Sequence, residues 1–90
     1  MHTVDLVLVR PGAGPPGPDE ASAVQDAIWA HAAPADGLEH VRALALPEGI
    51  GLVLFLRAAS RARASVQAQL LLARVLSSAA HAGLTVASWL

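Results

Sequence analysis

Leu38-Glu39-His40-Val41-Arg42-Ala43-Leu44-Ala45-Leu46-Pro47-Glu48-Gly49-Ile50-Gly51-Leu52-Val53-Leu54-Phe55-Leu56-Arg57 contains two apolar runs, 38–46 and 50–57, on either side of a Pro-Glu-Gly separator. Runs of this length joined by Pro and Gly read as the two strands of a hairpin. A three-residue loop is expected, with Pro47 presetting the first turn position and Gly49 taking the left-handed conformation as a bulge. Such a loop sets Leu46 opposite Ile50. It then pairs Leu44 with Leu52, Arg42 with Leu54 and His40 with Leu56, and on the other side Ala43 with Val53, Val41 with Phe55 and Glu39 with Arg57. In this register one hairpin face carries Leu38, Leu44, Leu46, Ile50, Leu52, Leu54 and Leu56 beside His40 and Arg42. The opposite face carries Val41, Ala43, Ala45, Val53 and Phe55.

Working outward, Val4-Asp5-Leu6-Val7-Leu8-Val9 is a nearly continuous apolar strand that reads as buried on both faces and stops at Arg10-Pro11-Gly12. Residues 11–18 hold four of the six prolines and three glycines, a composition suited to a flexible loop. Asp19 is the expected cap of a first helix, with Ala21, Val24, Ala27 and Ile28 on one face and Pro34 beyond its end. Ser60 is the expected cap of a second helix reaching about Ala82. Its apolar stripe is Val66, Leu70, Ala73, Ser77 and Ala80, and Gly83 stands at the stop. Leu84 to Leu90 forms a last strand. The order β-α-β-β-α-β implies an α+β, ferredoxin-like sandwich: one domain over 1–90, with a four-stranded antiparallel sheet of order 4-1-3-2 and both helices on one face. The polar residues Glu39, His40, Arg42, Thr85 and Ser88 fall on the two strands this order places at the edges.

Because helices cover only one sheet face, the other should be polar in a solitary monomer, and neither hairpin face is. The small residues Ala43, Ala45 and Gly51 are expected to lie under the helices, leaving the leucine face open. Leu44, Leu46, Leu52, Leu54 and Leu56 are then the expected interface of a homo-oligomer or of a complex with a partner protein. Charge is also asymmetric, −5 over residues 1–50 and +4 over 51–90, summing to the net −1.

Ninety residues, 54% of them apolar, allow one core and leave a domain that gains from association. The absence of Cys removes disulfide and thiolate chemistry and fits a cytoplasmic setting. The apolar run Ile50 to Leu56 is too short to span a bilayer, so no membrane association is expected. Six arginines without a lysine, together with twenty alanines, suggest a GC-rich bacterial source.

Gly12-Ala13-Gly14-Pro15-Pro16-Gly17 is a literal G-x-G-x-x-G, but Pro15 and Pro16 supply no N–H to a phosphate and a hairpin follows in place of a parallel strand. His2, His31, His40 and His81 lack metal-ligand spacing, so neither metal nor cofactor is expected; His31 and His81 are read as helix-end residues. Arg57, Arg61 and Arg63 gather at the start of the second helix, where a solvated helix entry accounts for them more simply than an anion site. RNA recognition on such a sheet needs several exposed aromatics, and only Phe55 lies on a central strand, so no nucleic-acid partner is expected. No Ser/His/Asp constellation is defensible. Desolvation favours a protonated carboxylate, which makes Asp5 the one candidate general base, although a position near the strand start, within reach of water, explains it as well. The element order and apolar open face resemble the dimeric α/β-barrel superfamily and, more loosely, regulatory domains of the ACT type. The resemblance spans the whole chain and rests on architecture, with no motif matched residue by residue. The alternative expectation is a small-molecule enzyme or ligand sensor of the dimeric α/β-barrel type, with Asp5, His40, Arg42 and Trp89 as its polar and aromatic candidates for ligand contact. The leading expectation is a non-catalytic interaction module.

Overall fold

The computed structural model describes residues 1–78, 81 and 83–89. Its elements are β1 (His2–Val9), α1 (Pro18–His31), a 3₁₀ turn (Pro34–Asp36), β2 (Leu38–Leu46), β3 (Gly49–Leu56), α2 (Arg61–Leu76) and β4 (Thr85–Trp89). The strands form one antiparallel sheet in the order β2-β3-β1-β4, the expected ferredoxin-like βαββαβ topology.

The hairpin closes one residue tighter than expected. Leu46 pairs with Gly49, Ala43 with Leu52 and Val41 with Leu54, so Pro47 and Glu48 alone form the loop. The three-residue loop required a left-handed Gly49, but its φ is an extended 159°. Gly49 serves a different need: a Cβ there would collide with the Leu8 carbonyl of β1, so glycine permits the close approach of two backbones. Side chains alternate along a strand, so a one-residue slip turns β2 over relative to β3. Ile50, Leu52, Leu54 and Leu56 therefore share the helix-covered face with Val41 and Ala43, and all four are essentially inaccessible to solvent. A bulge between Leu38 and His40 brings Leu38 back opposite Leu56, where it packs on the core.

β1 alternates instead of being buried on both sides: Val4, Leu6 and Leu8 are buried, whereas Thr3 is exposed and Asp5, Val7 and Val9 are half-buried. α1 begins at Pro18 with Gly17 as its N-cap and not at Asp19; proline at the first helical position has no N–H to leave unpaired. Ala21, Val24 and Ile28 are buried as expected. In α2 the Ser60 cap holds, its Oγ accepting from the Arg63 N–H at 3.1 Å. The helix ends at Leu76, short of Ala82, and residues 79, 80 and 82 lie outside the described residues. Its expected stripe points away from the sheet: Val66 and Leu70 are exposed, while Ala64, Ala68, Leu71, Leu72 and Val75 are buried. The two alanines let the helix axis approach the sheet, and the larger residues fill the layer toward its C-terminus. The expected last strand is observed over Thr85–Trp89, and Leu90 lies outside the described residues.

The rotation of α2 is also held by polar contacts. Gln67 Nε2 donates to the carbonyls of Asp36 (2.7 Å) and Arg57 (3.1 Å). The buried carboxylate of Asp36 accepts from the Ala33 N–H at 2.7 Å and pairs with Arg74, whose guanidinium also reaches the His31 carbonyl. This clasp ties the end of α1 and the 3₁₀ turn to α2.

Candidate functional site: the open face of the sheet

Both helices pack on the face that carries Leu52 and Leu54, so the opposite face is uncovered among the described residues. Pairing aligns its side chains in rows across β2, β3 and β1. One row is Arg42, Val53, Asp5; on one side of it lies His40, Phe55, Thr3 and on the other Leu44, Gly51, Val7. A strand spacing of about 4.8 Å puts Asp5 and Arg42 roughly 10 Å apart at their Cα atoms, with Val53 between them. Among the described residues the two charges make no ion pair, either with each other or with another side chain.

The centre of this face is a shallow open depression of about 320 Å³ lined by Asp5, Val7, Arg42, Leu44, Leu46 and Phe55, among others. Gly51 allows it to form. A Cβ at that position would stand 2.8 Å from Leu46 Cδ1, so the Leu46 side chain lies over the glycine. Leu44 is 54% exposed, the highest value for a large apolar residue within a strand. His40 flanks the depression with its ring 5.6 Å from that of Phe55, tilted by 46°.

Of the five expected interface leucines, Leu44 and Leu46 lie on the open face, whereas Leu52, Leu54 and Leu56 belong to the core. The expectation had β2 facing the right way and β3 inverted. Val7, Val53 and Phe55 take the places of the three leucines. Thr3 and Asp5 offered a signal, since the polar residues of a half-covered central strand mark its wet face and Val7 shares their phase. Of the four ligand candidates, Asp5 and Arg42 line the depression and His40 lies at its margin. Trp89 stands opposite Leu6, a core residue, out of phase with Asp5.

The remaining candidates gather no site. Among the described residues no three His, Cys, Asp or Glu side chains come together as metal ligands. His31 closes α1, whereas His81 falls beyond α2 in a short turn and not in the helix. Arg57, Arg61 and Arg63 are exposed. A smaller hollow of about 150 Å³ lies where the Pro/Gly loop meets the hairpin tip, beside the Arg10–Glu20 ion pair (3.1 Å). No helix among the described residues is long and apolar enough to cross a membrane. Comparison with family models, curated proteins and solved structures gives no match to this chain.

Proposed function

We propose that this protein is a non-catalytic interaction module, a small adaptor or accessory subunit that oligomerises or docks through its open sheet face. One observation carries the reading: Val7, Leu44, Leu46, Val53 and Phe55 form a continuous apolar patch on the sheet face that no helix covers among the described residues. Apolar patches of this kind on small domains mark interaction surfaces. Each large side chain that a partner covers fully would contribute about 1.5–3 kcal/mol. A Cys-free, Arg- and Ala-rich composition supports a bacterial, cytoplasmic setting for the module.

The test compares two arginine substitutions by light scattering at tens of micromolar protein. Val53→Arg, on the open sheet face, is expected to reduce the associated mass. Val66→Arg, on the exposed side of α2, is expected to leave it unchanged. Equal behaviour of the two variants would refute the assignment of the face.

A second reading, a ligand sensor or enzyme of the dimeric α/β-barrel type, draws on Asp5 and Arg42 lining one depression. Saturable thermal stabilisation of the wild type by a small amino acid, lost in Asp5→Ala, would favour it.

A further inference from the structure

Resting on the reading of the open face as an interaction surface, we infer that its occupant is a second copy of this chain, related by a two-fold axis that runs along β3 between the sheets. In this arrangement Asp5 of each copy faces Arg42 of the other. The face presents one acid and one base in the same row, on either side of Val53, and among the described residues neither makes an ion pair within its own chain.

A two-fold axis that stacks two sheets face to face lies in the plane between them, and its direction decides which residues meet. An axis along β3 reverses each row. Asp5 then stands over Arg42, Val7 over Leu44 and Thr3 over His40 of the other copy, while Val53 and Phe55 meet their own counterparts on the axis. Acid faces base, apolar faces apolar, and a hydroxyl faces an imidazole. An axis running across the strands would keep each residue in its own column. Asp5 would then face Asp5 and Arg42 would face Arg42, a like-charge arrangement that disfavours association. An axis at 45° would cross the two sheets orthogonally and bring neither pair together. The charge pattern therefore selects aligned packing, the arrangement in which two sheets lie within about 30° of each other and about 10 Å apart.

Sedimentation velocity on charge variants tests this, with circular dichroism confirming that each is folded, as expected for residues outside the core. The wild type is expected to be dimeric at about 100 µM. Asp5→Arg and Arg42→Asp each set like charges against one another twice and should raise the dissociation constant roughly 100-fold or more. The double variant Asp5→Arg/Arg42→Asp restores both pairs and should recover the dimer. An equimolar mixture of the two single variants should form a one-to-one dimer, because one copy then carries two arginines and the other two aspartates. A monomeric wild type overturns the inference. Single variants that stay dimeric while Val53→Arg dissociates overturn the pairing and leave the face assignment standing. A Val53→Arg chain that dimerises as tightly as the wild type removes both.

Discussion

Val53 and Leu54 are adjacent on β3 and occupy opposite faces of the sheet. Leu54 sits between Val4 and Val41, in a row that is wholly apolar and sealed beneath the helices. Val53 sits between Asp5 and Arg42, in a row on the face opposite the helices. Strand periodicity makes the two faces alternate, but it does not decide which of them is covered. The helices decide it. Apolar character on the covered face holds the chain together, whereas on the open face it is the surface that the proposed association would bury.

A charge placed on either side of β3 should have opposite consequences. Leu54→Arg buries an unpaired guanidinium and should abolish folding, a loss exceeding about 4 kcal/mol. Val53→Arg should leave the far-UV circular dichroism spectrum native-like. A folded Leu54→Arg chain would show that the faces are exchanged. Truncation should separate them less dramatically: Leu52→Ala is expected to cost about 2–5 kcal/mol in denaturant unfolding, against less than about 1 kcal/mol for Leu44→Ala measured in dilute solution.

Glycine sharpens the contrast. Gly49→Ala drives a methyl into the Leu8 backbone, which cannot step aside without disturbing the β1–β3 pairing, so roughly 2 kcal/mol or more should be lost. Gly51→Ala meets only the tip of Leu46, which can rotate outward on the open face, and should cost less than about 1 kcal/mol. Equal losses would mean that Leu46 is locked in place. The smallest signal on the covered side comes from the clasp. Asp36→Asn keeps an acceptor for the Ala33 N–H but removes the charge facing a partly exposed Arg74, and about 1 kcal/mol is expected. Thermal unfolding would measure it.

The element order could be read from the chain because each signal was local: Pro and Gly at the turns, Ser60 at a helix start, runs of branched apolar residues in the strands. The orientation of β2 was equally readable, since Arg42 and His40 needed water and Ala43 suited close helix packing. β3 offered only Gly51, expected under the helices with Ala43 and Ala45, and the structure places it on the open face beside Leu44 and Val7. Ile50-Gly51-Leu52-Val53-Leu54-Phe55-Leu56 is apolar at both phases, so the orientation otherwise rested on the loop. Gly49 can serve as a left-handed bulge or as a point of close backbone approach, and the residue type is the same for both. Asp36 likewise looked like one more turn residue in Pro34-Ala35-Asp36-Gly37. Its burial depends on Arg74, 38 positions away.

The sequence by itself determined the topology and the presence of more apolar strand surface than two helices can cover. Turn residues, caps and apolar runs act over a few positions, and their physics is complete within the chain segment that carries them. Only the tertiary structure decided which half of that surface is open. The choice turns on the contact of Gly49 with the Leu8 carbonyl and on the rotation of α2, which Gln67, Arg74 and Asp36 hold in place. Both join residues distant in sequence, and a one-residue difference in strand register, invisible to composition, exchanges an open face for a core.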